Sequence, residues 1–129
     1  MKALIPEGFE WVERDWRMSP GLISNGHVFL TGMTGARADG SLPDTPRAQF
    51  ETAFDNAATI LASGGMRFAD VVDVTSYHVG LRDHLDDFRA VWNARVSRPY
   101  PAWTAIEVSG FIIPDNYIEL KVVARLPTV

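Results

Sequence analysis

Two alternating apolar segments flank Asn25-Gly26 within the stretch GLISNGHVFLTG. An Asn-Gly pair readily takes the positive φ values that a tight hairpin turn requires. Side chains alternate across a strand, so Val28 and Leu30 point to one side of the second segment and Phe29 to the other. We therefore predict a β-hairpin in this part of the chain.

Helical periodicity begins after residues 35–44, where Gly, Ala, Asp, Ser and Pro cluster without any period and predict a loop. Thr45 suits the N-cap of the helix, Pro46 suits its first position, and Gly64-Gly65 stops it. The apolar residues between these limits recur at helical spacing: Phe50, Phe54, Ala57, Ala58 and Leu61. One side of this helix is expected to pack inward.

A second helix and three further strands complete the predicted elements. We expect Asp83 to cap the helix and Pro99 to end it. Its apolar stripe is Leu85, Phe88, Val91 and Trp92. β-Branched and aromatic residues predict strands in VVDVTSYHV, AWTAIEV and YIELKVVARL. The order ββαβαββ predicts one α+β domain over residues 1–129, with both helices on one face of a mixed sheet.

Two helices cover only one face of such a sheet. On the last strand, Ile118, Leu120, Val122 and Ala124 suit the covered side, and Tyr117, Glu119, Lys121 and Val123 the other. We expect Trp103 and Ala105 of the preceding strand to share the uncovered face with Glu119. Because an exposed face with this many apolar residues is a contact surface, we predict an oligomer with sites between chains.

Composition and charge narrow the classes of function. The chain of 129 residues has a net charge of -4 with scattered basic residues, which disfavours a nucleic-acid partner. No apolar run approaches the roughly 20 residues that span a membrane, and the N-terminal stretch lacks a signal-peptide core, so we expect no membrane partner and a cytoplasmic location. Three dispersed histidines and no cysteine predict neither a metal site nor another cofactor.

Four strings of the sequence resemble a known family: FDNAATILASGGMRFADVVDVTSYHV, LDDFRAVW, PYPAWTAIEV and IELKVVARLP. The resemblance covers roughly residues 17–127 and is to the Rid family, also called YjgF-like and formerly endoribonuclease L-PSP. The PYPxWTA and DVTSxH strings resemble its YjgH-like branch. This resemblance implies a chorismate-mutase-like fold assembled as a homotrimer, with clefts where neighbouring chains meet. Members that resemble RidA hydrolyse enamines and imines from amino-acid metabolism to 2-oxo acids and ammonia, and other branches have no settled activity.

The resemblance breaks at the residue that binds the substrate carboxylate in the deaminating members. Those members carry an arginine in a P-x-R-[ST] string, and this chain has Trp103 at that position. A neutral indole offers one donor and cannot replace a bidentate guanidinium. Met18 stands where the family has a tyrosine, so we expect a more apolar cleft. The candidates for a substitute cation are Arg17, Arg98 and Lys121.

The family also implies which residues serve the cleft. Glu119 corresponds to the acid on the last strand, which would position a water molecule and shuttle its proton; partial burial would raise the pKa of such a carboxyl. The other implied residues are Tyr77 and Trp103 as lining side chains, Met18 near the first strand, and the backbone amides near Gly32 and Ala105 as donors to a substrate oxygen.

Three of the candidate residues also have a purely structural interpretation. Trp103 fits subunit packing as well as ligand contact, because aromatic residues are enriched at interfaces and in pockets. Glu119 is equally consistent with an ion pair to Lys121 or to an arginine of a neighbouring chain. For His78 we favour a hydrogen-bonded histidine beneath a helix over a catalytic base.

Our leading hypothesis is a homotrimer whose clefts between chains bind a small, apolar or aromatic metabolite and hydrolyse an imine-like bond through Glu119. The competing hypothesis is a non-catalytic trimer that binds a metabolite or another protein, so the sequence leaves open whether the protein is an enzyme. Ribonuclease activity, which the older family label suggests, has little support because the chain is acidic and shows no basic groove.

Overall fold

A computed structural model describes residues 1–127. The elements in chain order are β1 (Lys2–Leu4), α1 (Glu10–Trp16), β2 (Gly21–Ser24), β3 (His27–Leu30), β4 (Met33–Thr34), α2 (Pro46–Ser63), a 3-10 turn (Phe68–Asp70), β5 (Val71–His78), α3 (Leu81–Arg95), β6 (Ala102–Glu107) and β7 (Ile118–Arg125). None of the helices within the described residues is long and apolar enough to cross a membrane.

The strands form one mixed sheet in the order β1-β2-β3-β7-β5-β6, and β4 pairs with β7 beside β3. Every pairing is antiparallel except the one between β5 and β6. The last two strands of the chain are therefore not neighbours, because β5 lies between them. The sequence-based expectation of a mixed sheet with two long helices on one face is confirmed.

Local signals placed the hairpin and α2 correctly. Asn25 and Gly26 have φ values of 51° and 77° at the turn between β2 and β3. The Thr45 side chain accepts a hydrogen bond from the Ala48 amide at 3.1 Å and caps α2. The helix then runs to Ser63, and Gly64 follows as its C-cap. Each boundary depends on side chains or turn residues within a few positions, which is why the sequence alone could predict it.

Other elements differ from the prediction. The pattern missed β1, α1 and β4, since two of them have two or three residues and α1 buries only Val12. The expected cap of α3 at Asp83 is wrong. The helix begins at Leu81, and Gly80 is its N-cap with a φ of 73°, in the left-handed region that favours glycine. Asp83 lies inside the first turn, and the helix ends at Arg95, before Pro99.

The expected orientation of β6 is also wrong. Trp103 is aligned with Val74 of β5, and Val74 is aligned with Val122 of β7. Val74 and Val122 are buried beneath the helices, so Trp103 faces α3, and Ala105 shares its side of the strand. Both alternating sets of β6 contain apolar residues, so the strand alone does not reveal which set is covered.

The core lies between the sheet and the two long helices. Its largest fully buried apolar side chains are Phe50, Phe54, Phe88, Leu30, Ile60, Leu61, Ile118 and Leu120. Gln49 of α2 is also buried and ties two loops to this core. Its Nε2 donates to the carbonyls of Pro43 at 3.2 Å and Asp115 at 2.9 Å, and its Oε1 accepts from the Tyr117 amide at 2.8 Å. These bonds fix the entry to β7, the strand that carries Glu119.

Candidate functional site

Glu119 lies on the face of the sheet that no helix covers. The register aligns Thr34 of β4, Glu119 of β7, Tyr77 of β5 and Ile106 of β6 in one row across four strands. Aligned residues project to the same side of a sheet, so Tyr77 is the cross-strand neighbour of Glu119. The structure thus brings together these two sequence-predicted site residues.

The backbone at Gly32 lies against one side of the Glu119 carboxyl. A Cβ atom built at position 32 would lie 2.6 Å from Glu119 Oε2 and 2.8 Å from its Cδ. Glycine is therefore required for the carboxyl to lie directly against the backbone between β3 and β4. The family resemblance named Gly32 for its amide, and the contact with Glu119 is a further role that no sequence signal indicated.

The charges around Glu119 are arranged unusually. Burial raises the pKa of Glu119, and the positive charge of Lys121 only partly opposes this effect. The Nζ of Lys121 donates to the Leu30 carbonyl and not to the carboxyl. Among residues 1–127, no ion pair forms with Glu119. The ion pair with Lys121 considered from the sequence is thus not formed within the chain.

Met18 lies at the Gly32 end of this cluster. The Thr31 hydroxyl donates to Met18 Sδ at 3.9 Å, and the Thr31 amide donates to the Pro20 carbonyl at 2.9 Å. Met18 keeps 39% of its surface exposed. Of the predicted site residues, Met18, Gly32, Tyr77 and Glu119 therefore lie on one side of the sheet. They form a half-open surface with one carboxyl and several apolar atoms, which we call the Glu119 surface.

Trp103 and Ala105 do not belong to the Glu119 surface. The Trp103 Nε1–H donates to Ser76 Oγ at 2.8 Å. Its ring stacks on Trp92 of α3 with centroids 4.9 Å apart and planes 27° apart, and it lies 5.5 Å from the Phe88 ring. Trp103 is thus a partly buried wall beneath α3, and within one chain it is on the opposite face from Glu119.

His78 extends the polar chain that begins at Trp103. Its Nε2 lies 2.7 Å from Ser76 Oγ, and its ring packs edge-on against Phe50 and Phe88. The side chain is 1% exposed, and burial lowers its pKa to about 4. The expectation of a hydrogen-bonded histidine beneath a helix is confirmed.

A recess of about 380 Å³ opens beside the carboxyl end of α3, lined by Trp92, Asn93, Val96 and Tyr100. Trp92 connects it to Trp103, since the two indoles stack. The sequence analysis treated Trp92 as part of the apolar stripe of α3 and assigned no site there. The signal that could have revealed the recess is the short, aromatic SRPYP segment, which returns the chain from α3 to β6 close to Trp92.

The three candidate substitute cations have different surroundings. Lys121 is held by the Leu30 carbonyl, and burial lowers its pKa. Arg17 is the C-cap of α1 with a φ of 55°. Arg98 lies by the recess, where its guanidinium carbon is 5.7 Å from the centre of the Tyr100 ring and its Nε donates to Tyr100 Oη at 3.4 Å. Only Arg98 is thus linked directly to an aromatic wall of the recess.

The fold has a mixed sheet, two helices that cover one face and a carboxyl on the open face. Comparison with known proteins identifies the class of protein that has this fold. Residues 15–126 match the family model described as Endoribonuclease L-PSP. The chain belongs to this family, also called YjgF or Rid.

The relatives support the same assignment. The RutC family protein YjgH of Escherichia coli K12 is 36% identical over 126 residues, which cover 97% of this chain and 95% of that protein. A solved structure of protein YjgH superimposes with a TM-score of 0.88 at 33% identity and covers 99% of this chain and 98% of its own. RidA from the Antarctic bacterium Psychrobacter sp. PAMC 21119 has a TM-score of 0.77 at 24% identity, with 84% of this chain and 87% of its own covered, and shows the shared fold alone.

The surroundings of His78 predict how stability depends on pH. The pKa of His78 is about 4 in the folded chain against an ordinary value of 6.5, so the unfolded chain binds the extra proton. Stability should fall by about 3 kcal/mol as the pH drops through this window and level off below it. Denaturant unfolding of wild type and His78→Gln from pH 7.5 to 4 measures the difference in slope. His27→Gln, at the hairpin turn, is the control, and equal slopes in wild type and His78→Gln would contradict the assignment.

Proposed function

We propose that the protein is a homotrimer that binds a small apolar or aromatic metabolite in clefts between chains and hydrolyses an imine-like bond in it. The observation that carries this proposal is Glu119: a half-buried carboxyl with a raised pKa, no ion pair among the described residues, and a glycine backbone against one side. A carboxyl in this state accepts and returns a proton more readily than an exposed carboxylate of ordinary pKa.

The positions of Trp103 and Glu119 support a cleft made by two chains. Within one chain they project to opposite faces of the sheet, so no pocket of a single copy can include both. A neighbour that packs its α3 edge against the Glu119 surface would place the Trp103–Trp92 wall opposite the carboxyl. Phe29 and Ile106 are 43% and 41% exposed on the same uncovered face, and a neighbouring copy would bury them.

The proposed reaction consumes one imine and one water molecule and yields one carbonyl compound and one ammonia. Glu119, as a carboxylate, takes one proton from the water molecule while the water oxygen adds to the imine carbon. The C=N electron pair moves to nitrogen, which receives this proton from Glu119. In the second half, Glu119 takes the hydroxyl proton as the C=O bond forms, and the C–N bond breaks with its electron pair on nitrogen. Nitrogen receives the second proton and leaves as ammonia.

The proposal includes a substrate preference. Trp103 occupies the position of the family arginine and spends its single donor on Ser76. It therefore offers nothing to a carboxylate next to the reacting carbon. Small 2-imino acids derived from amino acids should be poor substrates, and imines without an adjacent carboxylate should be better ones.

A second candidate function follows from the same indole. Because Trp103 is fully engaged with Ser76, Trp92 and Phe88, its role can be that of a packed wall in a trimer that binds a metabolite without turnover. Ligand binding without ammonia release from any imine would favour this alternative.

Replacement of the proposed acid tests the chemistry. Glu119→Gln keeps the shape of the side chain but cannot shuttle a proton, so ammonia release from a panel of carboxyl-free aryl imines, such as benzophenone imine, should fall by about 100-fold or more. The molar mass measured by light scattering should stay that of three chains. Because burial raises the pKa of Glu119, the acid side of the wild-type pH profile should lie above 4.5. Glu13→Gln, on the exposed side of α1, is the control.

Equal rates for wild type and Glu119→Gln would exclude the role of Glu119 in hydrolysis. A wild-type rate no faster than that of buffer would defeat the enzyme proposal. A molar mass equal to that of one chain would show that no cleft between copies forms.

The contact between Gly32 and Glu119 gives a second test. In Gly32→Ala the new Cβ would displace the end of the Glu119 side chain, which is flexible, so stability should change by only about 1 kcal/mol. Ammonia release should nevertheless drop at least about tenfold, because the carboxyl leaves its position. Gly110→Ala is the matched control, since a Cβ there meets nothing within 4 Å. Full activity in Gly32→Ala would show that the position of the carboxyl does not matter.

A further inference from the structure

The recess beside the carboxyl end of α3 combines aromatic walls with one exposed cation. Of its aromatic lining residues, Tyr100 is 60% exposed and Trp92 is 8% exposed. Asn93 adds the only side-chain amide among the four lining residues. The volume of about 380 Å³ is at the small end of ligand pockets and suits a molecule built on one or two rings.

Arg98 at this recess differs from the nearby Arg95 in its charge environment. Arg95 is neutralised within the chain, because its Nη2 lies 2.9 Å from Glu51 Oε2 and 2.8 Å from Asp55 Oδ1. Arg98, three positions later, forms no ion pair among residues 1–127, and its guanidinium lies over the Tyr100 ring and donates to the Tyr100 hydroxyl. Most of the donors of its guanidinium therefore point to solvent beside an aromatic surface.

One wall of the recess, Trp92, is supported by the interior. Trp92 is fixed from behind by the stacked Trp103 ring, which is in turn held by its bond to Ser76. Arg98 lies over the Tyr100 ring, so its charge is placed beside the recess. An aromatic surface with an uncompensated guanidinium at its edge matches a flat anion, because the ring can pack on the wall while the acid binds the cation.

We propose that this recess binds the unsaturated end of a flat carboxylic acid, with the ring or double bond against Tyr100 and Trp92 and the carboxylate on Arg98. This assignment names the substrate class for the cleft and rests on the proposed function for its link to catalysis. In this assignment the carboxylate binds Arg98 beside the recess and does not bind the residue at position 103. The assigned ligands are therefore acids with a flat apolar group, and the small 2-imino acids, which lack such a group, do not belong to this class.

Binding of cinnamate and of its neutral isostere cinnamamide to the full chain tests this assignment. Titration calorimetry should show cinnamate bound about fivefold more tightly than cinnamamide, the upper end for a partly exposed ion pair. Cyclohexanepropionate, which has the acid but no flat ring, should also bind several-fold more weakly than cinnamate. Arg98→Gln should remove the preference for the acid, and Arg98→Lys should keep part of it. Arg89→Gln, on the exposed side of α3, is the matched control and should behave as wild type.

Equal affinities for cinnamate and cinnamamide, an unchanged preference in Arg98→Gln, or no binding of cinnamate at millimolar concentration would each overturn the assignment. Ammonia release from benzophenone imine, measured on the same protein preparation, separates this assignment from the proposed reaction. A preference for cinnamate without any ammonia release would support the assignment of the recess and contradict the proposed hydrolase. Ammonia release without a preference for cinnamate would support the hydrolase and contradict the assignment of the recess.

Discussion

The insertion of β5 between β6 and β7 is the constraint on which the rest of this structure depends. Val74 of β5 is aligned with Trp103 on one side and Val122 on the other, and all three face the helices. Further along β5, Tyr77 is aligned with Glu119 on the opposite face. The pairing therefore divides the candidate site residues between two faces of one chain, and a site that included both Trp103 and Glu119 would need contact between two copies.

Two features determine the surroundings of the Glu119 carboxyl. The absence of a side chain at position 32 lets it lie against the backbone, where partial desolvation disfavours the charged form. The nearest lysine along β7 is diverted to the Leu30 carbonyl, so its charge acts only at a distance. Had Lys121 reached the carboxyl, the favourable pair would have lowered the pKa of Glu119 and tied up its oxygens.

The sequence predicted those features that depend on neighbours along the chain. Asn25-Gly26 and Thr45-Pro46 encode a turn and a helix start through φ preferences and a side-chain cap, and both are confirmed. The orientation of β6 depends instead on which distant strand pairs with it, and two apolar sets in AWTAIEV satisfy either choice. The contact of Gly32 with Glu119 and the recess beside Tyr100 likewise join segments far apart in sequence, where no local pattern reports them.

The chain of contacts from Trp103 through Ser76 to His78 has an evolutionary consequence. A guanidinium placed at position 103 would lose the stack on Trp92 and bring a full charge next to a histidine that is buried in its neutral form. The residue type at position 103 is thus coupled to the integrity of the interior. An arginine at position 103 would therefore be tolerated best together with changes at Trp92 and in the Ser76–His78 pair, because these side chains pack against the indole or share its hydrogen bonds.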